Sequence, residues 1–242
     1  MTTELPGAAA PEGTGLYVKV DGARAPAELT ALINSVCDQA EKQPDGAAVI
    51  LDLGEAPDEH GPWPGDVTIQ TVNRWERAVR RVESLDGITI AVARGTCGGH
   101  ALDLLLAVDF RMGVPGLQLR LPVNDGHIWP GMLLYRLVRH LGLAAARRIV
   151  MRGADLSLGQ AVDLGLIDQL ADDVEGAVHA ATALTGRMAD RETAVRRQLL
   201  LEAASVEYDD ALGAHLAACD RELRRLRNER PTASVPAGRS RA

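Results

Sequence analysis

Three glycines, Gly95, Gly98 and Gly99, stand directly before an apolar run that carries one carboxylate, Asp103. Glycine adopts backbone conformations closed to other residues, so this spacing permits a tight reversal between an extended segment and a helix. Backbone N–H groups at a helix start lack intrahelical acceptors, and with the helix dipole they stabilise negative charge. That charge is either a bound anion or an oxyanion formed during a reaction. Asp103 is set among Leu102, Leu104, Leu105 and Leu106, which should partly desolvate it. Desolvation raises a carboxyl pKa and makes the group tunable for acid–base work. The plain alternative is that the dipole alone favours an aspartate near a helix start.

The turn has rivals, and the spacing disfavours them. A nucleotide phosphate loop needs Gly-x-Gly-x-x-Gly or a Gly-Lys-Ser/Thr ending, and a serine-hydrolase elbow needs Gly-x-Ser-x-Gly. Residues 95–100, GTCGGH, are neither. Cys97 sits where a helix start would favour a thiolate nucleophile. No histidine–carboxylate partner is implied for it by spacing, and small residues are common in turns.

The elements that would position this turn are alternating strands and helices. Residues 16–20 alternate like a strand, 27–42 place Leu29, Leu32, Ile33, Val36 and Cys37 at helical spacing, and 47–53 (AAVILDL) read as a buried strand. Residues 55–66 are a loop held by Pro57, Pro62, Pro64, Gly61 and Gly65. Ile69, Val72, Trp75, Val79, Val82 and Leu85 then mark one face of an amphipathic helix, with Arg74, Glu76, Arg77, Arg80 and Arg81 on the other. The next strand, 89–93, leads into the glycine turn. Strands at 110–114 and 117–121, a polar loop at 122–131 and helices at 132–140, 143–151, 157–165 and across 177–227 follow, with Ser157 as an N-cap. Such alternation predicts an α/β fold with parallel strands and helices packed outside.

Whole-chain properties narrow the function. A chain of 242 residues with 46% hydrophobic and 24% charged residues can bury a sizeable core. No apolar run approaches the ~18 residues of a membrane helix, and residues 1–15 show no signal or transit pattern, so a cytoplasmic location is expected. Cys37, Cys97 and Cys219 are widely separated, which argues against disulfides and zinc. A net charge of −7 gives no general reason to bind nucleic acid; the arginines at 221, 224, 225, 227 and 230 mix with acids as on a solvated helix face.

The residues that carry a wider likeness are Ala93-Arg94-Gly95, Gly98-Gly99 and the run to Asp109, then Pro122 with Trp129-Pro130-Gly131, then Gly153-Ala154-Asp155-Leu156-Ser157 and 161–166 (AVDLGL). With them, residues 16–172 resemble the crotonase, or enoyl-CoA hydratase/isomerase, superfamily, although Leu158 stands where alanine is usual. Within it the chain is most similar to the hydratase-like branch of dihydroxyphenylglycine assembly in glycopeptide-antibiotic pathways. That similarity lies in Trp75-Glu76-Arg77-Ala78, Arg80-Arg81, the CGG turn with Ala101-Leu102-Asp103, and 121–137.

The resemblance implies a spiral of ββα units over residues 16–172 and a helical oligomerisation region at 173–228 forming trimers or hexamers; the Ala/Pro/Gly-rich residues 1–15 are expected to be a flexible start, and the turn to Pro, Ser, Gly and Arg makes 229–242 an expected disordered tail. It implies an acyl-CoA substrate, with CoA part of the substrate and no tightly bound cofactor or metal, and a type III polyketide synthase as partner. Backbone N–H groups of His100 and Asp66 would hold the thioester oxygen. Asp103 matches one of the family's two glutamates, but the second falls on Val123, which moves no proton. Asn124, Asp125 and His127 are candidates to replace it. Trp63 and Trp129, with Val123 and His127, are acyl-pocket candidates, and Lys19 and Arg24 could meet CoA phosphates. The missing carboxylate leaves two readings: a dehydratase or isomerase, and a catalytically weak protein that enhances the synthase.

Overall fold

The computed structural model describes residues 15–22, 24–43, 47–54, 67–124, 126–188 and 192–228. Two strand–helix units come first. β1 (Leu16–Asp21) leads to α1 (Pro26–Glu41), β2 (Val49–Gly54) leads to α2 (Ile69–Glu83), and β3 (Thr89–Ala93) follows. The three strands lie parallel and adjacent, with Leu16 opposite Val49 and Val49 opposite Thr89. After Gly95 the chain makes the short strand β4 (Thr96–Gly98), then α3 (Gly99–Leu105) and β5 (Phe110–Gly113), which pairs parallel with β3. β6 (Gln118–Arg120) pairs parallel with β4, and β7 (Val123–Asn124) with β8 (His127–Ile128) forms a small antiparallel hairpin. α4 (Leu133–Arg152), β9 (Leu156–Ser157) and α5 (Leu158–Asp163) follow. β10 (Gln169–Leu170) then closes the five-stranded sheet beside β5, and α6 (Val174–Met188) follows it.

Why the central strands read as continuous apolar runs is visible in their packing. Side chains alternate faces along a strand, so a sheet covered on both sides favours apolar residues at nearly every position, and the one buried carboxylate of β2, Asp52, is paired with Arg94 and Tyr17. Val49, Leu51 and Leu53 of β2 pack with Leu29 and Ile33 of α1 and Val79 and Val82 of α2. Ile50, Ile90 and Val92 face the other way, onto Ala177 and Ala181 of α6. α6, expected as part of the helical oligomerisation region at 173–228, is therefore a covering layer of the main sheet.

Several expectations are refined. The glycine turn contains β4, and the polar loop at 122–131 contains the β7–β8 hairpin. The two helices expected at 132–151 abut as α4, broken at Gly142, whose φ of 74° is non-helical. Ser157 caps α5 as expected, in a capping box with Gln160. Chain contacts define two compact units, Met1–Ala194 and Val195–Ala242. The second holds most of α7 (Glu192–Ala203) and then α8 (Tyr208–Asn228), which exposes Leu212, Leu216, Leu223 and Leu226. Among the described residues no helix is long and apolar enough to cross a membrane.

One backbone contact ties β2 to the approach to β3: Val49 N–H donates to the Ile88 carbonyl at 2.9 Å. A Cβ on neighbouring Gly87 would collide with the Ala47 carbonyl oxygen, which is backbone and cannot swing aside. Overpacking of this kind costs about 1–3 kcal/mol. Gly87→Ala is accordingly expected to lower the unfolding free energy by that amount, read in a urea titration as a lower midpoint with an unchanged m-value.

Candidate active site

α3 begins at the glycine turn. Gly95 and Gly99 each have φ of 55°, a left-handed conformation that a side chain would strain, and this lets the chain leave β3 and enter a helix within a few residues. His100 is the second residue of α3 and Asp103 the fifth. Asp103 is thus beyond the first turn, and the dipole account of an aspartate at a helix start does not explain it. Its partner is a side chain: Trp75 Nε1 on α2 donates to Asp103 Oδ2 at 2.9 Å, within the protein interior. The His100 and Trp75 rings lie 4.4 Å apart, and His100 Nδ1 is 3.8 Å from the same Oδ2.

α4 supplies the counter-charge. Leu133, Arg136 and Leu137 share its buried stripe, so a guanidinium 5% exposed occupies a position that helical spacing assigns to the core. Arg136 Nε donates to Glu83 at 2.8 Å and Nη1 to Glu76 at 3.1 Å, and Nη1 stands 3.9 Å from Asp103 Oδ1. Burial opposes the arginine's charge, and Glu83, Glu76 and Asp103 more than offset it. For Glu76 the balance runs the other way. Burial, with the nearby charge of Asp103, holds its carboxyl above the ordinary range despite Arg136 and a bond from the Met132 backbone. α4 is itself anchored by His140, whose Nε2 meets the Leu106 carbonyl at 2.8 Å and whose Nδ1 meets Arg111 at 3.1 Å. Burial lowers the His140 pKa, so the ring is neutral, donating at one nitrogen and accepting at the other.

Beside these groups lies a cleft of about 440 Å³, counted with the open space at its mouth. Pro26 of α1, Val67, and Thr71, Val72, Trp75 and Glu76 of α2 form one side; Gly99, His100 and Asp103 of α3, Pro122, Trp129, Gly131 and Leu133 form the other. A concave, mostly apolar space with a few convergent polar groups is what a small-molecule site requires.

An enoyl-CoA hydratase of Amycolatopsis orientalis is 44% identical to this chain over 216 residues, covering 87% of the chain and 96% of that protein. The chain belongs to the enoyl-CoA hydratase, or crotonase, superfamily. No protein-family model matches it. Solved structures agree at the level of fold. An enoyl-CoA hydratase/isomerase from Marinobacter aquaeolei superposes with a TM-score of 0.72 at 17% identity, covering 88% of this chain and 90% of that one. A hydratase/isomerase family protein from Silicibacter pomeroyi gives 0.73 at 15%, covering 90% and 99%.

Not every residue singled out from sequence lines the cavity of this hydratase-family chain. His100, Asp103 and Trp129 do. Val123 packs on the apolar core, and His127 is exposed in the hairpin; neither lines the cavity. Lys19 and Arg24 are exposed and lie outside its wall. Asp66, Trp63 and Asp125 fall outside the described residues, as does the Asn124 side chain. Cys97 is fully buried and its thiol is pushed up to about 12, so it is no nucleophile. Sequence reasoning missed Trp75 as a donor, Glu76 as a cavity residue and Arg136 altogether. The available signal was an arginine inside the Leu133–Leu137 stripe, which demands buried acidic partners.

Replacing Trp75 by Phe keeps an aromatic side chain, removes the donor to Asp103 and trims buried ring atoms. Hydrogen bonds to charged groups are worth about 1.5–3 kcal/mol, so denaturant titration should show a loss of at least that size. In the native protein iodoacetamide should label exposed Cys219 and leave buried Cys37 and Cys97 unmodified, as peptide mass spectrometry would show.

Proposed function

We propose that this protein acts on a CoA thioester as a hydratase-like dehydratase or isomerase, in the formation of 3,5-dihydroxyphenylacetyl-CoA for dihydroxyphenylglycine, in the manner of DpgB. The observation that carries the chemistry is the buried Asp103 carboxylate, held by Trp75 in the wall of a cavity that Gly99 and His100 also line. The pathway assignment is supported by where the closer resemblance lies. Its segments, Trp75-Glu76, the CGG turn with Asp103 and residues 121–137, are largely those that line this cavity.

The backbone N–H groups of His100 and Asp66 hold the thioester oxygen. Charge that develops there as the α-carbon loses its proton meets fixed dipoles and needs no reorganisation. Val67, directly after Asp66, lines the same cavity. Asp103 carries the proton to and from the α-carbon. Trp129 borders the acyl group. CoA enters as part of the substrate, and a type III polyketide synthase that builds the chain from malonyl-CoA supplies it. The chain works as a homo-oligomer, trimer or hexamer, for which the exposed leucines of α8 offer apolar surface.

Asp103→Asn tests this reading, because the asparagine oxygen still accepts from Trp75 while the group can no longer take a proton. In a synthase-coupled assay the variant should lose about 10²–10⁴ in rate, with synthase binding retained. An unchanged rate would leave only the accessory reading, a non-catalytic enhancer of the synthase.

A further inference from the structure

Glu76 and Asp103 reach the cavity from different helices, and one nitrogen, Nη1 of Arg136, stands between them at 3.1 and 3.9 Å. Asp103 Oδ2 is engaged by Trp75 Nε1. The charged and polar groups facing Glu76 are Asp103 and His100 on α3, Arg136 on α4 with its second partner Glu83, and the Met132 N–H at the head of α4. Two carboxyls in unlike surroundings within one cavity are the arrangement by which an enzyme separates an acid from a base.

We propose, building on the thioester reading above, that Glu76 is the second proton-transfer residue of this cavity and does the work for which Val123 has no suitable side chain. The substrate is a β-hydroxyacyl thioester. Asp103 removes a proton from the α-carbon, and the electron pair of that C–H bond becomes the new double bond between the α- and β-carbons. The C–O bond at the β-carbon breaks with its electrons on oxygen, and the Glu76 proton joins that oxygen, which departs as water. The substrate loses one water and nothing is oxidised or reduced. Asp103 then holds the α-carbon proton and Glu76 is left ionised, and exchange with solvent resets both. Burial and the charge of Asp103 bias Glu76 towards its protonated form, which suits the donor.

The test separates the two carboxyls. Exchange of the α-protons of 3,5-dihydroxyphenylacetyl-CoA in D2O requires a base alone, whereas synthase-coupled dehydration requires base and acid. Glu76→Gln should lose about 10²-fold or more in dehydration while keeping exchange within a few-fold, and Asp103→Asn should lose both. A proton donor must be protonated, so the wild-type dehydration rate should fall as pH rises through the elevated Glu76 pKa. That limb should vanish in Glu76→Gln, and Glu76→Asp should recover part of the rate. Wild-type dehydration in Glu76→Gln with the limb intact overturns the proposal and spares Asp103. Loss of exchange together with dehydration in Glu76→Gln also overturns it, by making Glu76 a structural partner of Arg136. Absence of exchange in the wild-type protein instead overturns the thioester reading itself.

Discussion

Arg136 is a permanent cation held at 5% exposure, and a guanidinium in that position persists only if acidic groups surround it. Glu83 and Glu76 come from α2, and Asp103 comes from α3. Removing one partner of such a buried set typically costs about 3–5 kcal/mol, because the remaining charge is left without compensation. The three helices are therefore fixed relative to one another by a charged cluster of which Glu76 and Asp103 also line the cavity. Each carboxylate in the cluster has a geometry set by more than one neighbour.

The main sheet supplies the platform. β2 and β3 are buried on both faces, which locks their register and delivers the chain at Gly95 to a defined point. From there the backbone needs two left-handed glycines to reverse into α3, and the reversal sets His100 and Asp103 against α2. Neutral His140 then ties α4 to the Leu106 carbonyl at the end of α3 and to Arg111 on β5. A short helix with a special carboxylate is thus clamped from both sides by longer elements whose own burial is ordinary.

Trp75 shows how one residue serves packing and polarity together. Its ring lies in the core with Ala78 and Val79, and its indole N–H is satisfied by Asp103. A buried indole N–H requires an acceptor, and a buried carboxylate requires donors, so each resolves the other's desolvation.

By itself the sequence determined the α/β architecture, the glycine turn and Asp103 as a carboxylate near its helix start, because period-2 and period-3.6 apolar patterns and glycine positions are local signals. It also carried the superfamily resemblance. It misjudged Glu76, which shares a helix surface with Arg74, Arg77, Arg80 and Arg81 and so looks solvated. Only the approach of Arg136 from sixty residues later in the chain turns that surface inward at Glu76 and Glu83. His127 and Val123 failed for the converse reason, since adjacency to a marked loop says nothing about which wall a side chain joins. Periodicity records which residues are buried, whereas which buried residues meet is decided by contacts between helices, and those exist only once the sheet has set the helices side by side.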